Sequence, residues 1–166
     1  LDEKWYTESY YNDFTNIAPN SIQLNIFIKK ILSVTKNNFD IVITSGSKKI
    51  AALYEFFTDS DKQQDDVFTK IINNNLITYI EKTSFNDLEC LIQDSAFLIC
   101  CEGGVSHVSH NFDVSTIAFF EKSRLQHTEF WTSHMRKLSL FKRKTMSSLI
   151  NDEEFFNLLK TKIEKI

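Results

Sequence analysis

Six residues in the middle of the chain have types and spacing suited to chemistry: Glu102-Gly103-Gly104-Val105-Ser106-His107. Adjacent glycines permit a tight turn and a close approach of backbone to a ligand. They follow an apolar run, Ala96 to Cys101, whose length suits a strand buried on both faces. Val105 to Asn111 reads as a short helix, and a second apolar run, Val114 to Phe120, follows it. Strand, glycine turn, helix, strand is the βαβ unit of a parallel sheet. The free N–H groups of such a helix start, at the positive end of its dipole, suit a phosphate. Gly104, Val105 and Ser106 supply the candidate donors. The Glu102 carboxylate would repel a phosphate but accept hydrogen bonds from hydroxyl groups; its simpler use is as an acidic helix cap. His107 either holds the loop, approaches the phosphate, or packs as an ordinary histidine. His107 and His110, with Cys101 and Glu102 nearby, are ligand types without a zinc spacing, so no metal is expected.

The elements that must position these residues alternate along the chain. Pro19-Asn20-Ser21 opens a helix, with Asn20 or Ser21 as cap and Leu24, Phe27, Ile28, Ile31 and Val34 on one face. Phe39 to Thr44 is a β-branched strand. Ser45-Gly46-Ser47 turns the chain into a helix over 48–57, where Ser45, Ser47 and Lys48 form an ordinary helix cap or a second phosphate site. A polar loop over 58–66 and a short helix over 67–75 are expected next, then a strand from Leu76 to Ile80. Ser84 caps a helix running to about Asp94, with Asp87 at the capping-box position. After Phe120, Lys122 and Ser123 lie in a solvated loop or at a ligand's edge, and Arg124 to His134 reads as helical. Arg136-Lys137 and Lys142-Arg143-Lys144 flank a short strand, Leu138 to Phe141, which they protect as solvated charges or aim at anionic lipid. A last helix begins at Asn151-Asp-Glu-Glu, with Phe156, Leu159, Ile163 and Ile166 as its apolar stripe.

The chain of 166 residues is long enough for one domain with a real core, and its 42% hydrophobic and 25% charged content is that of a globular protein. A net charge of −3 gives no overall basic signature for nucleic acid. No apolar run approaches the roughly 20 residues of a membrane span. Cys90, Cys100 and Cys101 are an odd set, two of them adjacent in a strand, and read as reduced, buried thiols. The fold class expected is α/β: an open parallel sheet with helices on both faces. A dehydrogenase is disfavoured, because no G-x-G-x-x-G follows a strand.

The stretch from Ala96 to Phe120 resembles the C-terminal half of glycosyltransferase family 9, the heptosyltransferase-like enzymes of lipopolysaccharide core synthesis. Those carry Asp-Thr-Gly, a small residue, another residue and His on a short helix after an apolar strand. Here Glu102-Gly103-Gly104-Val105-Ser106-His107 stands there, with Glu for Asp and Gly for Thr, and Thr116 to Phe120 ends the next strand. Asp2-Glu3-Lys4-Trp5 resembles the family's mid-chain Lys-Trp-Pro with the proline lost, and Lys82-Thr83-Ser84 to Leu88 its loop before a Ser-Leu helix. The resemblance implies a Rossmann-like, GT-B donor-binding half spanning residues 1–166, probed at Lys4, Lys82, Thr83, Glu102, Gly103, Gly104, Val105, Ser106 and His107. Lys4 is in that view a donor ligand and otherwise a solvated lysine beside an aromatic. Lys82 and Thr83 would lie against the base, and Glu102 would read sugar hydroxyls. Lys48-Lys49 stands where many relatives place an acid for the ribose.

The function so implied is transfer of a sugar from a nucleotide-diphosphate donor to a lipid-linked lipopolysaccharide or lipooligosaccharide core acceptor. It needs no metal and no cofactor beyond the donor. The abrupt start at Leu1 suggests a fragment whose N-terminal half carries the general base, so no catalytic residue is expected in this chain. A bacterial, cytoplasmic setting follows, with peripheral contact at the inner face of the inner membrane and no nucleic-acid partner. The alternatives are a nucleotide-sugar epimerase of the same architecture, and a degenerate nucleotide-sugar-binding or interaction domain without catalysis.

Overall fold

The computed structural model describes residue 5 and residues 14–46, 49–58, 62–64 and 66–166. The first helix, α1 (Ser21–Val34), starts at Asn20. The Asn20 side chain accepts from Gln23 N–H at 2.8 Å, and the Gln23 side chain accepts from Asn20 N–H at 3.0 Å. That reciprocal box satisfies two donors that a helix start otherwise leaves open. Strand β1 (Ile41–Thr44) and a short helix α2 (Ala51–Phe56) follow.

The next segment departs from expectation. A short edge strand β2 (Lys62–Gln64) lies inside the supposed polar loop, and β3 (Val67–Ile72) and β4 (Asn75–Ile80) form a hairpin where a helix over 67–75 was expected. Asn73 and Asn74 both take positive φ, 51° and 66°. Asparagine tolerates that conformation, and two such residues in succession make the tight turn whose twist matches a hairpin. Phe68 and Ile72 of β3 point to one buried face. The sheet order is β1-β4-β3-β2, parallel between β1 and β4 and antiparallel elsewhere.

The second sheet matches expectation. After α3 (Phe85–Gln93), strands β5 (Phe97–Cys101), β6 (Ser115–Phe120) and β7 (Leu138–Lys142) pair in parallel, in that order. Helix α4 (Gly104–Asn111) crosses from β5 to β6. A 3-10 turn (Lys122–Arg124) and α5 (Leu125–Thr132) cross from β6 to β7, and α6 (Met146–Leu149) and α7 (Glu153–Ile163) close the described chain. The fold is thus α/β, with a mixed sheet and a three-stranded parallel sheet flanked by helices, in place of one parallel sheet covered on both sides. The far face of the mixed sheet leaves Val42, Ile71 and Leu76 exposed.

Helix α1 joins the two cores. Its Leu24, Ile28 and Leu32 pack with Ile43, Leu53, Ile77 and Tyr79 under the mixed sheet. Its Phe27 packs with Ile117, Phe119, Phe141 and Phe155 under the parallel one. Phe155 stacks on Phe27 at 5.7 Å and on Phe119 at 5.6 Å. Asp152 caps α7 through Phe155 N–H and also binds Lys144, which places Phe155 in that stack.

Two expectations about polar residues are corrected. Cys100 and Cys101 are buried and unbridged, but Cys90 is exposed. Arg143, expected among solvated strand-edge charges, is 1% exposed. Its guanidinium lies 5.2 Å from the Phe14 ring centre, Nε donates to the Thr15 carbonyl at 3.0 Å, and Nη1 contacts Cys101 Sγ at 3.5 Å. Its backbone N–H binds the Phe120 carbonyl, continuing the β6–β7 pairing inward. Arginine tolerates such burial because its planar head keeps several donors in a fixed fork. Replacing it with methionine keeps the bulk and removes a hydrogen bond from a charged donor, so Arg143→Met is expected to lose about 1.5–3 kcal/mol in urea unfolding. An unchanged unfolding midpoint would mean the guanidinium adds nothing net.

Candidate functional site

Strand β5 ends by pairing one residue further than its own length: Glu102 N–H donates to Phe119 O at 3.0 Å. That bond holds the turn beside the end of β6. Gly103 then takes φ 136° and ψ −153°, a region essentially closed to residues with a Cβ. Its carbonyl accepts from Ser106 N–H at 3.0 Å and His107 N–H at 3.3 Å. The Ser106 hydroxyl donates to the same carbonyl at 2.7 Å and accepts from Gly103 N–H at 3.2 Å. Ser106 is buried. Its N–H and hydroxyl are both committed to Gly103, so Ser106 shapes the turn from inside instead of facing a ligand. Among the described residues no acceptor meets the N–H of Gly104 or Val105. A Cβ built on Gly104 meets nothing within 4 Å, so the space above it is open. Val105 turns its side chain into a small cluster with Ile92, Val108 and Val114.

The end of β6 adds charge beside this turn. Glu121 is buried, accepting from Thr15 N–H at 2.7 Å and Lys122 N–H at 3.0 Å. Just beyond it an open cavity of about 620 Å³ is lined by Lys122, Ser123, Arg124, Leu125, Gln126 and His127. The Arg124 guanidinium sits 4.7 Å from the Phe14 ring centre. Lys122 and Ser123 were expected at a ligand's edge; Arg124 and His127 were not, because only the 3-10 turn folds them onto one wall. Trp5 is buried edge-on against Phe119 at 5.4 Å. Lys4, Ser47 and Lys48 lie outside the described residues.

Lys82 and Thr83 end a different sheet. Lys82 follows β4 at φ 53° and pairs with Asp66 at 3.0 Å. Thr83 N–H donates to Ser45 O at 3.1 Å, and its hydroxyl to Ile80 O at 3.1 Å. Ser45 is itself buried, its hydroxyl 2.9 Å from the Tyr79 hydroxyl. Among the described residues no hydrogen bond or ion pair joins this loop to the glycine turn. Next to Lys82 in the chain is a buried carboxylate that the sequence pattern did not single out. Glu81 has a side chain 4% exposed, with Oε1 unmatched by any donor among the described residues and Lys82 Nζ 4.0 Å from Oε2. Interaction with that carboxylate, then burial, pushes the Tyr54 phenol up to about 12. Only pairing of β1 with β4 sets Glu81 near Tyr54, so no local signal announces it.

His107 meets a residue far away in the chain. His134 lies 6.0 Å from the His107 ring and 5.0 Å from that of His110. Burial, then the neighbouring His134 and His110, pushes His107 below its usual value. Among the described residues no group of three or more His, Cys, Asp or Glu side chains is placed to hold a metal ion.

Two outcomes follow. Gly103→Ala forces a Cβ into a glycine-only conformation and is expected to lower stability by about 1–3 kcal/mol, read by denaturant unfolding; no loss would mean the turn relaxes freely. The fold favours neutral His107, so its contribution to stability is full above the usual histidine value of about 6.5 and is lost as pH falls through the lower folded value. Unfolding free energy should therefore decline on acidification below about pH 6.5, and His107→Gln should flatten that decline.

No family model, curated protein or solved structure matches the chain. The glycine turn and the basic cavity beside it therefore carry the functional argument.

Proposed function

We propose that the chain binds the donor of a heptosyltransferase-like, GT-B glycosyltransferase: a nucleotide-diphosphate sugar whose sugar goes to a lipid-linked saccharide. One observation carries this reading. The turn at Gly103 leaves the N–H groups of Gly104 and Val105 without acceptors, under open space, at the carboxyl edge of a parallel sheet. Ligands of open α/β sheets bind at that edge, and a diphosphate is the group such a helix start holds best. Lys122 and Arg124, in the adjoining cavity, supply positive charge for it. Transfer breaks the bond from the anomeric carbon to the diphosphate, which leaves carrying the electron pair. The acceptor hydroxyl bonds to that carbon and gives its proton to a base. This chain's share is to hold the leaving diphosphate and the sugar. The acceptor and the base belong to a facing N-terminal half.

Gly104→Val places a side chain in the open space where the phosphate would sit, and nothing in the fold opposes it. Calorimetry with ADP, UDP and GDP should show binding to the parent chain and none to the variant, with unfolding unchanged. Equal binding by both would put the diphosphate elsewhere. Glu102→Gln should weaken a nucleotide sugar by about 1–3 kcal/mol, the scale of a hydrogen bond to a charged group, and leave the free nucleotide diphosphate unchanged. An equal loss for both would make Glu102 a turn-shaping residue.

A further inference from the structure

Helix α5 faces the wrong way for a solvated helix. Its buried residues are Thr128 and Thr132, four apart on one face, with the Thr132 hydroxyl turned back onto the Thr128 carbonyl at 2.8 Å. At 100° per residue Phe130 falls on the opposite face, with Trp131 and His127 along its flank. Phe130 is 73% exposed and Trp131 54%. Their rings meet edge-to-face at 5.6 Å, and Trp131 lies 6.0 Å from His127. Two large aromatics held together outward, over two inward threonines, form an unpartnered apolar ridge.

The surrounding charge indicates what covers that ridge. Residues 122–137 hold four Lys or Arg and one Glu, in a chain whose net charge is −3. Lys122 and Arg136 are exposed and, among the described residues, make no ion pair. Lys137 is tied to Asp113 at 2.7 Å. The basic cluster expected at the end of β7 does not serve, since Arg143 is buried and Lys144 is bound to Asp152. An acidic protein approaches an anionic surface only through a locally basic face. Exposed Trp and Phe flanked by Lys and Arg suit the headgroup boundary of a bilayer, rings among the acyl chains and cations among the phosphates. No described helix is long and apolar enough to cross a membrane, so the contact is peripheral.

We propose that α5 docks the protein on an anionic lipid surface, inserting Phe130 and Trp131, with Arg136 against the headgroups. The proposal does not depend on donor binding and is tested without nucleotide. Trp131 is its own reporter, because Trp5, the other tryptophan, is 3% exposed and already dry. The full chain is mixed with vesicles of phosphatidylcholine alone or with about one third phosphatidylglycerol, and followed by tryptophan emission and co-sedimentation. Phosphatidylglycerol vesicles are expected to shift emission to the blue and to sediment the protein, less so in high salt; neutral vesicles are not. Phe130→Ser should weaken binding about tenfold, as loss of an inserted ring, and Arg136→Glu several-fold, both with unchanged circular dichroism. Trp131→Phe should abolish the shift and keep the sedimentation. The proposal is overturned if phosphatidylglycerol vesicles leave the protein in the supernatant, or if Phe130→Ser and Arg136→Glu bind like the parent. It is equally overturned by a blue shift that grows with protein concentration without lipid, which would give the ridge to a second copy of the chain.

Discussion

The parallel pairing of β5 with β6 is the constraint from which the rest of the candidate site follows. Parallel neighbours cannot be joined by a hairpin, so the chain must leave β5 at its carboxyl end, cross the sheet as a helix and return. The turn into that helix is therefore forced to the same edge at which β6 later ends. The hydrogen bond from Glu102 N–H to Phe119 O extends the pairing into the turn and fixes its distance from β6. Gly103 absorbs the change of direction in a conformation that a side chain would forbid. Two N–H groups remain turned outward because Ser106 satisfies the turn from within.

Beneath that edge the support is hydrophobic and aromatic. Phe119 meets Trp5, Phe141 and Phe155, each from a different part of the chain, and Phe27 brings α1 into the same stack. Aromatic pairs add about 0.5–1.5 kcal/mol each beyond the area they bury, and they fix orientation as well. The buried polar pair above them is of a different kind. Glu121 and Arg143 grip the backbone on either side of the Thr15 Cα, the carboxylate taking the Thr15 N–H and the guanidinium giving to the Thr15 carbonyl. Two buried charges thus fasten a segment just before α1 to the ends of β6 and β7.

The mixed sheet contributes a second edge with its own chemistry. Lys82 is held by Asp66, Thr83 closes onto Ser45, and Glu81 lies buried near Tyr54. The two edges belong to separately bonded sheets, and α1 packs into both cores. The glycine turn has open N–H groups and open space, whereas Lys82 and Thr83 are occupied by neighbours; that contrast is why the former carries the proposed phosphate site.

Local pattern determined a good deal by itself. The strand at Phe97–Cys101, the glycine turn, the helix after it and the strand Ser115–Phe120 follow from apolar run length and from glycine, which act over a few residues. The caps at Asn20, Ser84 and Asp152 do too, since each depends on a side chain three residues from its partner. The hairpin at 67–80 was legible in the Asn73-Asn74 pair but was masked by an apolar run that suits helix and strand alike. What tertiary structure alone decided has a common cause: the partners are far apart in sequence. Arg143 is buried because Phe14, Thr15 and Cys101 converge on it. His134 reaches His107 and His110 because the chain, having left β6 through α5, turns back beside α4. Charge and hydrophobicity are written in single residues, but burial is a property of the neighbours that long-range pairing supplies, so the sequence marked Arg143 as a surface charge and packing buried it, while Phe130 and Trp131, apolar by type, were left outside.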